Sequence, residues 1–135
     1  MIVELPDRPR GAGHPPTVLL VDDEPDILEG LAAYLDATMP GLRILTAASA
    51  EAAMPLVEGG TIDVVVSDLR MPGMDGLQFL ERVHQHFPLV RRILITAFFE
   101  PELEQKAHAM GVGAVFRKPF QMTEFRETLG EALGA

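Results

Sequence analysis

Apolar residues recur along this chain with two alternating periods. Thr17–Val21 (TVLLV) is a short continuous run, and after it Ile27, Leu28, Leu31, Tyr34 and Leu35 fall at spacings of three and four. The first pattern reads as a buried strand, the second as one face of a helix. The pair of signals then repeats. Leu42–Ala47 predicts a second strand and Glu51–Glu58 a second helix. A strand at about Asp63–Ser67 precedes a helix marked by Leu77, Leu80, Val83 and His84. Ile93–Thr96 is followed by a helix over Pro101–Met110, and Ala114–Arg117 by a helix marked by Met122, Phe125, Leu129 and Leu133. Pro25 suits a first helical turn, while Pro40-Gly41, Gly59-Gly60, Phe87-Pro88 and Gly111 are stop signals.

Strand followed by helix, five times over, predicts an α/β fold with a parallel sheet covered on both faces. Right-handed crossovers restrict the topology. The expectation is a flavodoxin-like, doubly wound, five-stranded sheet in the order 2-1-3-4-5 with five helices. Strands 1 and 3 then lie side by side where the winding reverses. Ligands of such sheets bind there, outside the carboxyl ends of the strands.

Composition adds limits. The 135 residues suit one domain with a real core. Residues 1–16 are Pro-rich with little to pack and are expected to be a disordered leader or linker, leaving 17–135 as the domain. The absence of cysteine excludes disulfides and thiolate metal sites. A formal net charge of -9 argues against direct contact with nucleic acid, which needs Lys and Arg, and fits a protein that meets other proteins. No apolar run approaches the roughly 20 residues that span a bilayer, and the N-terminus does not read as a signal peptide. No membrane contact is expected, and the expected location is the cytoplasm.

The chemistry collects at the strand ends. Strand 1 runs into Asp22-Asp23, strand 3 into Asp68, strand 4 into Thr96 and strand 5 into Lys118, one of two lysines in the chain. The predicted sheet brings all five into one crevice. Crowded carboxylates repel, and a hard cation such as Mg²⁺ relieves them while keeping sites for phosphoryl oxygens. An ammonium and a hydroxyl beside that cation are what a transferring phosphoryl group requires. Asp68, alone on the central strand, is the candidate carboxylate nucleophile. A single strand-end Asp is as readily a helix cap; the whole set is not explained that way.

With Asp22-Asp23, Asp68 inside SDLRMPGMDG, Thr96-Ala97 after RRILI, and Lys118-Pro119-Phe120, the chain resembles the receiver domains of two-component response regulators over roughly Thr17–Leu133. The resemblance implies that Asp68 is the phospho-acceptor. It implies Mg²⁺ (or Mn²⁺) held directly by Asp23, Asp68 and the backbone carbonyl of Arg70, with Asp22 acting mostly through metal-bound water. Lys118 is expected to pair with Asp68 and then with the phosphoryl group, across a cis Lys118-Pro119 bond, and Thr96 to swing in to a phosphoryl oxygen. The implied donor is a phosphohistidine on a sensor histidine kinase or a histidine phosphotransfer protein. The implied output is a switch of the face made by the fourth helix, fifth strand and fifth helix, where a downstream protein or a homodimer partner is expected. In this reading the chain is a signalling switch and not an enzyme, catalysing only its own phosphorylation and dephosphorylation. The family usually carries an aromatic residue three positions before the Lys; here that position is Val115, and Phe116 beside it should face the other way.

Other residues read more plainly. Asp75 is expected to be a turn or cap residue, Met71 and Met74 loop packing, and His84, His86 and His108 helix-surface residues. Arg70 and Phe98, two residues after Asp68 and Thr96, are expected to flank the mouth of the site and set the lifetime of an aspartyl phosphate. Two alternatives remain at this level: a metal-dependent phosphohydrolase with an aspartyl nucleophile, and an unphosphorylated receiver-like interaction module.

Overall fold

A computed structural model of the protein describes residues 14–98 and 100–134. The elements are β1 (Thr17–Val21), α1 (Pro25–Thr38), β2 (Arg43–Ala47), α2 (Ala50–Glu58), β3 (Val64–Asp68), α3 (Gly76–His86), β4 (Arg91–Thr96), α4 (Pro101–Ala109), β5 (Ala114–Arg117) and α5 (Met122–Ala132). All strand pairs are parallel and the order is β2-β1-β3-β4-β5, as the alternation predicts. Most of the expected leader, residues 1–13, lies outside the described residues. Among the described residues no helix is long and apolar enough to cross a membrane.

Side chains alternate across a strand, so each strand feeds two cores. Leu19, Val21, Val65 and Leu94 pack with α2 and α3 on one face. Val18, Leu20, Val64, Val66, Ile93 and Ile95 pack with α1 and α5 on the other. Every residue of β1 and β3 is buried, which is why both read as unbroken apolar runs. On β5 the same alternation separates Val115, packed on the α2–α3 side, from Phe116, packed on the α1–α5 side. Phe116, Phe120 and Phe125 form a triangle of rings with centroids 5.4 to 5.5 Å apart.

Boundaries move where charge interrupts the pattern. β4 starts at Arg91 rather than Ile93, because Arg91 and Arg92 pair with Val64 and Val65 of β3 despite their charge. β3 extends through Asp68, which aligns with Ile95. α2 opens one residue early because the Ser49 hydroxyl caps it, accepting the Ala52 N–H at 3.0 Å. α3 turns Phe79 into the core, whereas His84 is exposed. His86 and His108 are exposed too, as expected.

Candidate functional site

Asp68 is the last residue of the central strand, and the chain must turn sharply after it. Gly76 makes the turn possible: a Cβ there would overlap the carbonyl oxygen of Asp68, and the Gly76 N–H donates to the Leu69 carbonyl at 2.8 Å. Asp75 starts α3 with a capping box, accepting the Gln78 N–H at 2.8 Å while the Gln78 side chain accepts the Asp75 N–H at 3.1 Å. Gly73, at φ +81°, lies against Glu51 of α2, whose carboxylate accepts the Met74 N–H at 3.3 Å. Met71 is buried in the core beneath the loop and Met74 partly so, in keeping with the packing role expected of them.

Three of the five expected side chains meet directly. Lys118 Nζ lies 3.1 Å from Asp68 Oδ1 and 3.2 Å from Asp22 Oδ2. Both carboxylates are buried, and the Lys118 side chain is only 16% exposed. The other oxygen of Asp22 accepts the Glu24 N–H at 2.9 Å, which turns Oδ2 toward the lysine. The Lys118-Pro119 bond is cis.

Two residues are placed differently from the simplest reading of the acid pair. Asp23 is exposed, and the third carboxylate at the lysine is Glu24, at 3.6 Å. Asp22, Glu24 and Asp68 each offer an oxygen, all within 4.8 Å of one another. Glu24 went unnoticed in the sequence because it follows two aspartates and precedes Pro25, where an acid reads as a helix-start residue. Thr96 is fully buried at the end of β4, and its hydroxyl oxygen accepts the Phe98 N–H at 2.9 Å. Its carbonyl accepts the Lys118 N–H at 2.8 Å, so the backbones that carry the hydroxyl and the ammonium are bonded together. At the mouth, the Arg70 guanidinium lies over the Phe98 ring, 4.6 Å from its centroid, and Phe98 is 55% exposed.

The electrostatics follow from this crowding. Burial, reinforced by the charge of Asp22, pushes the Asp68 carboxyl up from its ordinary value, and Lys118 offsets this only in part. Burial alone would lower the Lys118 ammonium, but its bonds to Asp68 and Asp22 outweigh that and leave it raised. Three carboxylates around one ammonium leave the crevice net negative. That donor set, all oxygen and partly buried, fits a hard divalent cation such as Mg²⁺.

The family model of the response regulator receiver domain matches residues 18–130. Sporulation initiation phosphotransferase F of Bacillus subtilis is 30% identical over 118 residues, covering 86% of this chain and 92% of that protein. Hydrogenase transcriptional regulatory protein HoxA of Cupriavidus necator is 32% identical over 120 residues, covering 88% of this chain and 24% of that protein. The structure of the response regulator TrrA of Thermotoga maritima in complex with Mg²⁺–BeF has a TM-score of 0.77 at 28% identity, covering 87% of this chain and 98% of that one. The chain belongs to the response regulator receiver domain family. It is a phosphorylation-switched module of two-component signalling, and it spans about a quarter of the length of the first curated relatives it matches. Receiver domains accept a phosphoryl group from sensor kinases or phosphotransfer proteins and bind Mg²⁺ in an acidic pocket.

Proposed function

We propose that Asp68 is the phospho-acceptor of this receiver. The observation that carries the reading is the sharing of Lys118 between Asp68 and Asp22 at the C-terminal end of β3. An Asp68 carboxylate oxygen attacks the phosphorus of a phosphohistidine. The new O–P bond forms as the N–P bond breaks, and the imidazole leaves with the bonding pair. Most of the catalysis in such a transfer is positioning and charge stabilisation. Lys118 supplies a buried ammonium beside the acceptor oxygen and moves its pairing from the carboxylate to the phosphoryl oxygens. Thr96 exchanges its local bond with the Phe98 N–H for one it donates to a phosphoryl oxygen. Asp22, Asp23, Glu24 and Asp68, with the Arg70 carbonyl, are the groups that would hold Mg²⁺ or Mn²⁺. The cation would supply neutralisation of the charge that gathers on the phosphoryl oxygens.

Residues 17–135 form the receiver unit in this reading, with 1–16 as leader or linker, working in the cytoplasm. The α4–β5–α5 face is its output surface for a downstream protein or a second copy. Arg70 and Phe98 cover the mouth and govern the entry of the water that hydrolyses the aspartyl phosphate. Family membership leaves the phosphohydrolase alternative without support. The test is intact mass after incubation with acetyl phosphate and Mg²⁺, beside Asp68→Asn and an EDTA control. The expected result is a base-labile gain of one phosphoryl group in the wild type alone; the same gain in Asp68→Asn would sink the assignment.

A further inference from the structure

α4 is the least embedded helix of the fold. Ala107, in its last turn, is its one buried residue, against two in α5 and three or more in each of the others. Its first turns are loosely held: Glu100 at the N-cap makes no side-chain capping bond, and none of residues 101–106 is buried. Its far end is tied down by an unusual group. Arg92 of β4 is 4% exposed, and its guanidinium donates to two backbone carbonyls. One is Leu80 of α3, at 3.3 Å; the other is Met110, the C-cap of α4, at 2.6 Å. The Arg92 carbonyl in turn accepts the Gly113 N–H at 2.9 Å. Gly111 between them has φ +80°, and a Cβ there would lie 2.9 Å from the guanidinium.

Among the described residues no carboxylate pairs with this arginine. Its charge is met by the Met110 carbonyl at the C-terminus of α4, where the helix dipole is negative, and by the Leu80 carbonyl within α3. A buried cation of this kind is weak evidence for stability, because an apolar side chain of similar volume serves a core as well. What a forked donor adds is a fixed geometry between two helices and a strand. Arg92, Leu94 and Thr96 lie on the same face of β4 by strand alternation. The strand that ends in Thr96 therefore also holds the far end of α4.

We propose that Arg92 is the fixed pivot of α4, a positioning residue that holds the C-terminal end of the helix to β4 and α3. A change at Thr96 is then expressed as movement of residues 101–106, and the helix does not shift as a whole. This rests on the phosphorylation reading above. The surface that changes is the groove of about 690 Å³ between those first turns and the β3–α3 loop, lined among others by Arg70, Met71, Leu77, Glu102 and Leu103.

Amide hydrogen exchange on the full chain tests this with Arg92→Met, which removes the fork, and Arg92→Lys, which keeps the charge without it. In the unphosphorylated wild type the amides of Met110, Gly111 and Val112, bonded within the α4 terminus, should exchange about ten-fold or more slowly relative to those of Leu103 and Glu104. Arg92→Met should erase that gap and Arg92→Lys should not restore it. With acetyl phosphate and Mg²⁺, the wild-type response in α4 should be confined to residues 101–106, and in Arg92→Met it should reach residues 107–112. An Arg92→Met protein with the wild-type gap, or with faster exchange spread evenly through β1 and β3 as well, would overturn the pivot. A wild type that gains no phosphoryl mass would defeat the proposed function instead, while the unphosphorylated arm still decides whether Arg92 anchors the helix.

Discussion

Asp63 and Asp68 bracket the same strand, both are buried, and the bonds that tie them to the sheet differ. Asp63 stands just before β3, where its Oδ2 accepts the Thr17 N–H at 2.9 Å. Its backbone also bonds Thr17 and Arg91, so it knits the starts of β1, β3 and β4. Asp68, at the other end, faces an ammonium that it shares with Asp22. An acid bound to the backbone N–H of a neighbouring strand is held in one geometry for as long as the fold lasts. An acid met by a lysine ammonium that it shares with a second carboxylate depends on a flexible side chain and not on the backbone ladder. Burial alone separates neither residue from the other; the bond to the Thr17 N–H and the bond to the Lys118 ammonium do.

The harshest way to break the contrast is Gly76→Ala. The added methyl would strike the Asp68 backbone, so the Asp68 end would fail as structure and not as chemistry. A loss of about 3 kcal/mol or more is expected in urea unfolding. Asp63→Ala should cost about 1–3 kcal/mol by leaving the Thr17 N–H unmet, with phosphoryl incorporation intact in the protein that remains folded. If Asp63→Ala instead abolished incorporation while keeping full stability, the two ends would not be distinct.

A pH series sharpens the same point. The raised Asp68 carboxyl binds its proton more tightly folded than unfolded, so what it contributes to stability is greatest in acid and is lost as pH rises through that raised value. The stability of Asp68→Asn relative to wild type should therefore improve from acid toward neutral pH, read as the difference in melting temperature. A flat difference would mean that Lys118 fully compensates the carboxylate. Smaller effects are expected at the periphery. Val115→Tyr should change partner affinity in the phosphorylated state by a few-fold, roughly the worth of one packed aromatic contact, and no change would show that this position takes no part in output. Phe98→Ala should shorten the lifetime of the phosphorylated form by about two- to ten-fold, the scale of a lost cation–π lid of 0.5–1 kcal/mol and a wider mouth. An unchanged decay rate would remove the lid from the mechanism.

Much of this was readable in the residues. TVLLV and DVVVS are apolar because both faces of their strands are covered, and that burial made the sheet order legible. The meeting of Asp22, Asp68 and Lys118 was legible because an α/β sheet delivers its strand ends to one crevice whatever the helices do. What stayed hidden depends on side-chain direction at close range. Asp23 and Glu24 differ by one position in a turn, and no periodicity says which of them swings back to Lys118. Arg92 was hidden for the same reason: a charged residue before RILIT's apolar core reads as the solvent end of a strand, and only the carbonyls of Leu80 and Met110 make its burial tolerable. Glu51, reaching the Met74 N–H across 23 residues of sequence, leaves no local signal at all.

The triangle of Phe116, Phe120 and Phe125 has a practical consequence. The chain has no tryptophan, so fluorescence quenching offers no native probe of the crevice. Three rings in tilted and edge-on contact, however, impose strong ring-current shifts on the methyl groups around them. Phe120 is two residues from Lys118, and Phe125 is anchored in α5. The methyl resonances of Leu129 and Ile95, in the same core, are thus a built-in spectroscopic gauge of whether an event at the lysine crosses to the α5 side of the sheet.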